Sequence, residues 1–222
     1  MPETTEHLQS TTQPQELVML HGFDRHRIGV DGEGVTTLVT LRQCPLHCRY
    51  CINDDCHTVP ERPLRVTASD IVERCRIDNL YFLYTKGGIC LGGGEPLLHP
   101  RFVHELREAM PEEWRLTLET SLCVPQTNVQ QIVDDVAMWV IDVKDMNPAI
   151  YRAYTDCSNE RVVENLRFLA DRGLQSKCVL RLPLIPHFNT DADRDASEAA
   201  LRQMGFTEFD RFDYIIKGEE RA

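Results

Sequence analysis

Three cysteines stand close together in this chain, with a glycine-rich turn further along. Cys44, Cys48 and Cys51 have C-x-x-x-C-x-x-C spacing, and glycines at 92–94 precede Glu95. Three thiolates in one loop can hold an iron–sulfur cluster and leave one iron without a protein ligand. A run of glycines lets the backbone come close to a small charged ligand. Together, these residues predict one-electron chemistry on a bound cofactor.

The same cysteines also allow a second interpretation, a zinc site. Cys56 or His47 could supply the fourth ligand of a tetrahedral zinc ion. Zinc alone explains neither the glycine run at 92–94 nor the charged residues Asp142 and Lys144. The chain has nine cysteines, an odd number, and an otherwise intracellular composition, so a disulfide framework is not expected. The cysteines outside the motif are scattered and are expected to be mostly small buried residues.

Composition limits the function classes that remain. The formal net charge of −11 argues against a general nucleic-acid binder, which needs a basic surface. No apolar run approaches the length of a membrane helix, and the polar start does not resemble a signal peptide. We therefore expect a cytoplasmic protein without membrane contact. We also expect a disordered tail over 1–16 and a single domain over 17–222.

Apolar periodicity predicts alternating strands and helices. Thr67 with Asp70, and Thr190 with Asp193, are typical of helix starts, and Pro100 opens another helix. The predicted strands cover 35–41, 89–91, 114–118, 138–143, 177–182 and 209–216. The predicted helices cover 68–76, a segment from 100 onward, a segment including 129–133, 159–171 and 191–204.

This alternation predicts an α/β fold with a parallel sheet and right-handed crossovers. Six strands are too few for a closed eight-stranded barrel of the usual size. We therefore predict a partial, open (β/α)6 TIM-like barrel. The segment before the first strand carries His21, Arg25, His26 and Arg27, and it is interpreted as a solvated hairpin.

Unusual polar residues follow each predicted strand at its carboxyl end. Ligands in parallel α/β proteins bind at this edge of the sheet, so these residues should converge on one site. The set comprises Cys44, Cys48, Cys51, Gly92, Gly93, Gly94, Glu95, Glu119, Thr120, Ser121, Asp142, Lys144, Arg181, Pro186, His187, Asp213 and Tyr214.

Two of these motifs resemble the radical S-adenosylmethionine (SAM) superfamily. They are the cysteine motif, with Tyr50 before its third cysteine, and the Gly-Gly-Gly-Glu-Pro run at 92–96. The turn at 30–34 resembles the Asp-Gly-Pro-Gly turn of glycyl-radical-enzyme activating enzymes, with Glu33 in place of proline. The segment 142–147 resembles their Asp-Leu-Lys-x-Met-Asn segment. The resemblance implies a radical SAM core fold.

The resemblance also implies two cofactors, a [4Fe–4S] cluster and SAM. Cys44, Cys48 and Cys51 would bind three irons, and the open iron would chelate the amino and carboxylate groups of SAM. Reduction would then cleave the sulfonium and yield a 5′-deoxyadenosyl radical, which takes a hydrogen atom from the substrate. The glycines at 92–94 would face the methionine amino group, and Glu95 would either accept from that ammonium or order the loop.

Each of the remaining site residues has two possible interpretations, one functional and one structural. Tyr50 would approach adenine or pack under the cluster loop. Glu119, which replaces the family's usual aspartate, and Ser121 would meet the ribose or the sulfonium side; otherwise Glu119 is a solvated strand end. Lys144 would neutralise the methionine carboxylate, while Asp142 pairs with Lys144 or with the backbone of the partner peptide. Otherwise the two form a structural ion pair. Arg181 would bind that carboxylate or a protein carboxylate.

The resemblance further implies the partners. The leading hypothesis is hydrogen abstraction from a glycine of a glycyl radical enzyme, with a small flavodoxin or ferredoxin as electron donor. The alternative is a radical SAM enzyme that modifies a peptide or small molecule. A non-catalytic cysteine-metal binding module is the alternative from another class.

Overall fold

The computed structural model describes residues 14–214 and residue 216. Its strands are β1 Val18–Ile28, β2 Val35–Leu41, β3 Arg65–Val66, β4 Gly88–Gly93, β5 Arg115–Thr120, β6 Met138–Asp142, β7 Cys178–Leu184 and β8 Glu208–Asp213. Its helices are α1 Ala68–Cys75, α2 Asn79–Thr85, α3 Pro100–Ala109, α4 Gln126–Ile132, α5 Pro148–Thr155, α6 Glu160–Asp171 and α7 Asp191–Gln203. All eight strands form one sheet in the order β3-β1-β2-β4-β5-β6-β7-β8.

The predicted six-stranded parallel sheet is confirmed. From β2 through β4 to β8, neighbouring strands are parallel and follow one another in chain order. Each crossover therefore moves one strand onward in the same direction, as in a barrel. Among the described residues, β3 and β8 end the sheet without pairing with each other, so the barrel is open.

Burial on both faces explains why these strands could be read from the sequence. Every residue of Val35–Leu41 is buried, and β6 is almost continuously apolar. Both tryptophans, Trp114 and Trp139, are buried in the core beneath the helices. The two predicted capping boxes, at Thr67 with Asp70 and at Thr190 with Asp193, are present at the starts of α1 and α7.

The hairpin before β2 is confirmed, but its first arm is a long strand that was not predicted. β1 pairs antiparallel with β2 and is interrupted by two irregularities. Its polar residues are less solvated than expected. Asp78 is fully buried, accepts two hydrogen bonds from Arg25 (2.8 and 2.5 Å) and lies 2.9 Å from His26 Nε2. These partners come from a distant segment, so the sequence pattern carried no sign of them.

Helices α2 and α5 were also missed. The buried side of α2 carries Phe82 alone, and α5 is a single short helix of eight residues. Its start is set by Asn147, whose side chain accepts a hydrogen bond from Ala149 N (2.9 Å), and by Pro148. Neither helix has enough inward apolar residues to reveal its period.

Both ends of the chain extend past the described residues. Residues 1–13 of the predicted tail lie outside them, whereas Glu16 accepts a hydrogen bond from Phe102 N (2.9 Å) at the start of α3. The last predicted strand reached 216, but β8 ends at Asp213, and residue 215 is not described. No helix in the described part is both long and apolar enough to span a bilayer.

Candidate functional site

A cavity of about 560 Å³ opens at the carboxyl ends of the parallel strands. Fourteen of the predicted site residues line it: Cys44, Cys48, Cys51, Gly93, Gly94, Glu95, Glu119, Thr120, Ser121, Asp142, Lys144, Arg181, Asp213 and Tyr214. Tyr50, Gly92, Pro186 and His187 are not part of its wall. The winding of the sheet brings these residues together, because successive parallel strands end at the same edge.

The cysteine loop follows β2 and rests on the end of α5. The backbone N–H groups of His47 and Arg49 donate to Thr155 O (3.0 Å) and Tyr154 O (3.1 Å), the last carbonyls of that helix. These bonds satisfy carbonyls that a helix end leaves without partners. Helix α5, absent from the sequence prediction, is thus the support on which Cys48 is held.

The three thiols suit a metal cluster, because the positive charge of the metal ions would stabilise their thiolate forms. All three cysteines are half-buried and free. Burial raises the pKa of Cys48 to about 11 and also raises that of Cys44. Without metal these two groups are neutral thiols, and iron binding must displace their protons. In the described part of the chain, no three Cys, His, Asp or Glu side chains group around one ion position. Three cysteine thiols in one loop are the donor type that an iron–sulfur cluster takes, with each thiolate on a different iron.

The two candidate fourth ligands of a zinc ion lie elsewhere in the loop. Cys56 is buried and its carbonyl accepts a hydrogen bond from Gln43 N (2.9 Å). His47 stacks on His57, with ring centroids 4.6 Å apart. Neither residue lines the cavity.

The glycine run at the end of β4 is packed against the cysteine loop. Gly93 has a φ of +87°, which favours glycine. A side chain on Gly94 would overlap the carbonyl oxygen of Gln43. The N–H groups of Gly94 and Glu95 donate to Leu41 O (2.8 Å) and Gln43 O (2.7 Å). The glycines therefore allow two backbones to meet, and Gly93 and Gly94 still face the cavity.

Of the two predicted roles of Glu95, its contacts are those of a loop-ordering residue. The carboxylate is buried and accepts hydrogen bonds from Thr120 Oγ1 (2.7 Å), Ser121 N (2.9 Å), Ser121 Oγ (2.7 Å) and Leu97 N (3.2 Å). Burial raises its pKa, and the donors at Thr120 and Ser121 oppose that rise. Glu95 thereby ties the end of β4 to the end of β5.

We expect Glu95→Gln to lower the free energy of unfolding by about 1–3 kcal/mol, the usual cost of leaving buried groups unsatisfied. The new amide nitrogen faces donors, and Ser121 N cannot turn away. Denaturant unfolding would measure the loss. Ser121→Ala, which removes one donor and keeps the carboxylate, should cost less. Equal stability of Glu95→Gln and wild type would contradict this anchoring role.

Four charged side chains form a network across the ends of β5, β6 and β7. Lys144 Nζ lies 2.9 Å from Asp142 Oδ2, and Arg181 Nη1 donates to Glu119 Oε1 at 2.9 Å. Arg181 Nε lies 3.5 Å from Asp142 Oδ1. Arg181 Nε and Asp142 Oδ1 are both buried, and neither atom has a hydrogen-bond partner among the described residues. Arg181 Nε is within ion-pair distance of two carboxylates, Asp142 and Asp210 (Oδ2 at 3.7 Å), and both Nε and Asp142 Oδ1 are shielded from solvent.

The network shifts the pKa of its members in different directions. Burial raises the pKa of Glu119 to about 7, against the opposing effect of Arg181. Burial alone would raise the pKa of Asp142, but Lys144 and Arg181 hold it below its ordinary value. Burial would lower the pKa of Lys144, but Asp142 and other neighbours raise it. Glu119 is thus the member that titrates near neutral pH.

We expect Glu119 to make stability fall as pH rises from about 5 to about 7. Its pKa in the folded chain exceeds the value of about 4.3 for an unfolded glutamate, so folding holds its proton more tightly. That advantage is complete below the unfolded pKa and is lost as pH passes the folded pKa. Unfolding free energies of wild type and Glu119→Gln, measured between about pH 5 and about pH 8, should diverge accordingly. Parallel curves would refute the assignment.

Tyr50 belongs to an aromatic group behind the cysteine loop. Its ring packs near Phe188 (5.7 Å between centroids), Tyr154 (6.1 Å) and Tyr214 (6.5 Å). Tyr214 also donates to the backbone carbonyl of Tyr50 (2.7 Å). These contacts agree with the packing interpretation of Tyr50 and join the cysteine loop to the end of β8.

The cavity has a wall that the sequence prediction did not include. It comes from β1 and the following turn and contributes His21, Gly22, Asp24, Arg27 and Asp31. Asp31 is buried and pairs with Arg27. Phe212 of β8 forms part of the opposite wall. Asp31 stood in the Asp-Gly turn motif already noted, whereas no pattern identified Asp24 or Phe212.

The fold and the site together define an open parallel α/β barrel with three cysteines at the mouth of its cavity. The profile of the Radical SAM superfamily matches residues 38–199, and the chain belongs to that superfamily. It is 34% identical over 131 residues to the indoleacetate decarboxylase activating enzyme of Tractidigestivibacter scatoligenes, covering 59% of this chain and 41% of that protein.

A second relative has a similar name and a similar extent of match. It is the (2S)-3-sulfopropanediol dehydratase activating enzyme of Klebsiella oxytoca, 35% identical over 127 residues, with 57% of this chain and 39% of that protein covered. The match to each of these two curated relatives thus spans less than half of the relative's length. Streptococcus suis SuiB bound to precursor peptide SuiA shares the fold (TM-score 0.62, 14% identity, 82% of this chain and 42% of SuiB).

Proposed function

We propose that this protein reductively cleaves SAM at a [4Fe–4S] cluster and abstracts a hydrogen atom from a glycine of a glycyl radical enzyme. One observation carries the proposal: three half-buried thiols and eleven further predicted site residues line a single cavity. When bound, the cluster would pass one electron to SAM, break a carbon–sulfur bond and release methionine and the 5′-deoxyadenosyl radical.

Each residue has a defined task in this proposal. Cys44, Cys48 and Cys51 hold three irons as thiolates. Lys144 and Arg181 offer positive charge to the methionine carboxylate from the cavity wall. Glu119 would meet the sulfonium side of SAM, and Asp142 holds Lys144 through their ion pair.

The other site residues either expose backbone groups to the cofactor or hold the surrounding loops in place. Gly93 and Gly94 expose backbone to the methionine amino group, and Gly92 allows β4 to approach Glu119. Ser121 faces the ribose side, while Glu95 fixes its backbone. Tyr50 supports the cysteine loop from behind through its ring contacts. These roles need the cavity to stay largely preformed, as is usual for cofactor sites.

The open sheet suits a macromolecular substrate. The cavity wall includes β1 residues on one side and β8 residues on the other, and these strands are not paired with each other. A loop carrying a glycine can enter between them. Relatives named as activating enzymes support a protein substrate. A small flavodoxin or ferredoxin is the proposed electron donor.

The proposal is tested with reductant, SAM and a candidate glycyl radical enzyme labelled with α-deuterated glycine. We expect a glycyl radical signal by electron paramagnetic resonance in that protein and deuterium in the 5′-deoxyadenosine. Deuterium transferred from a modified peptide, with no glycyl radical in any candidate, would favour the peptide-modifying alternative. A colourless zinc protein that cannot cleave SAM would instead indicate a non-catalytic module.

A further inference from the structure

Helix α2 and the turn just before it present apolar side chains to solvent. Ile77, Leu80, Tyr81 and Tyr84 are 71%, 78%, 53% and 92% exposed. Their i, i+3, i+4, i+7 spacing is the pattern that normally faces a protein core. The opposite side of the segment carries the buried Phe82 and the buried Asp78. The fold therefore leaves the apolar stripe of this segment uncovered among the described residues.

The tip of the β1–β2 hairpin extends this apolar surface. Ile28 and Val30 are 73% and 57% exposed. The hairpin is held against α2 by the ring contact of His26 with Tyr81 (centroids 4.9 Å apart) and by the hydrogen bond from Val35 N to Thr85 Oγ1 (2.9 Å). We define the α2–hairpin patch as Ile28, Val30, Ile77, Leu80, Tyr81 and Tyr84. A contiguous exposed patch of this kind marks an interaction site.

The patch is held in a defined position. Asp78, at the amino end of α2, binds both Arg25 and His26 of β1 and accepts a hydrogen bond from Thr37 Oγ1 (3.3 Å). A bidentate arginine–carboxylate contact fixes geometry as well as adding free energy. The helix and the hairpin therefore present their apolar side chains as one preorganised surface.

The same hairpin joins the patch to the cavity. Arg27 and Asp31 line the cavity, whereas Ile28 at the end of β1 and Val30 in the turn after it are exposed. Arg27 and Ile28 are successive residues of the strand, so their side chains point to opposite faces. If a partner protein inserts a loop past Arg27 and Asp31, the folded part of that partner would therefore contact the patch.

The charges beside the patch favour an acidic partner. Arg74 and Lys86 flank α2, and neither pairs with a carboxylate of the described residues, although the chain as a whole has a net charge of −11. The undescribed residues 1–13 contain only Met1 and Leu8 as large apolar residues, too few to cover the patch.

We propose that the α2–hairpin patch is the docking surface for the folded protein whose glycine loop enters the cavity. The matching surface on that protein is apolar with carboxylates at its rim. This inference rests on the proposed function and deepens it, because it separates recognition of the partner's body from chemistry on its loop.

The test compares two double variants on two substrates. Leu80→Ser/Tyr84→Ser alters the patch, and Leu17→Ser/Val59→Ser removes two side chains of similar exposure elsewhere (54% and 66%). The substrates are an intact glycyl radical enzyme that wild type activates and a synthetic peptide of its glycine loop. For the intact protein, we expect the patch variant to lose about 10- to 100-fold in kcat/KM through KM, as for buried interface side chains. The peptide reaction and SAM cleavage without partner should match wild type, as should the control variant on both substrates.

Three outcomes would overturn the inference. Unchanged activation of the intact protein would remove the docking role. An equal loss on the peptide would mean that the substitutions disturb the site itself. A wild-type dimer that the patch variant converts to a monomer in sedimentation would assign the patch to a second copy. If the wild-type protein forms no glycyl radical in any partner, the proposed function is wrong. If the wild-type protein forms the radical but the patch variant behaves like wild type, only the docking inference is wrong.

Discussion

Cys48→Ala is expected to abolish SAM cleavage and to lower the iron content of the anaerobically purified protein. Cys48 is the central residue of the motif, lines the cavity and has neighbours fixed by the end of α5. Loss of a group that merely orients a metal ligand costs about 10- to 100-fold, so loss of a ligand should exceed about 100-fold. The measurements are iron per chain, the visible absorption of the reconstituted protein and the yield of 5′-deoxyadenosine.

Cys75→Ala provides the matched control for this experiment. Cys75 is also a free cysteine, but it lies in α1, is buried in the hydrophobic core and does not line the cavity. Its loss should lower stability slightly and leave both iron content and SAM cleavage intact. If Cys48→Ala retained its iron and its activity, the three-thiolate cluster site would be wrong.

Gly94→Ala should be the most damaging single-methyl substitution at the site. Its new Cβ would overlap Gln43 O and lie 2.9 Å from Leu41 O, and both are backbone atoms of the strand and loop that lead to Cys44. Backbone cannot turn aside as a side chain can, so the cysteine loop must move. We expect a stability loss of about 1–3 kcal/mol from overpacking. Displacement of the site by about 1 Å should cost about 100-fold in SAM cleavage.

Gly173→Ala separates this steric effect from ordinary backbone strain. Gly173 has a φ of +71°, and a methyl group added there would have no neighbouring atom within 4 Å, so its substitution meets only the left-handed conformation. The cost there should be about 1–2 kcal/mol, without effect on SAM cleavage. Similar activities of Gly94→Ala and Gly173→Ala would show that close contact with the cysteine loop is unimportant.

The parallel strands were predictable because each buries both faces and so leaves a continuous apolar run. Val35–Leu41 is the clearest example. The same logic could not find β1, in which only Val18 and Leu20 are buried. Its charged residues Arg25 and His26 pair with Asp78, more than fifty residues away. This logic could not find α2 either, because the apolar stripe of that helix faces solvent instead of the core.

The candidate site shows the same division. The sequence places glutamates at 95 and 119 after two strands but does not distinguish them. In the structure, Glu95 is surrounded by donors from the end of β5, whereas Glu119 pairs with Arg181, 62 residues away. Glu95 therefore links the ends of two strands inside the protein. Glu119 is an ionisable residue of the cavity wall, and its pKa is about 7.

The three cysteines, their spacing and the glycine run were sufficient to identify the superfamily and the cofactors it uses, because ligand type and spacing are local properties of the chain. Only the tertiary structure decided how the site is supported: α5 carries the cysteine loop, Gly94 lets β4 touch it, and the hairpin closes one wall. These features depend on contacts between residues far apart in sequence. Their energies arise from burial and from matched hydrogen bonds, which no local pattern records.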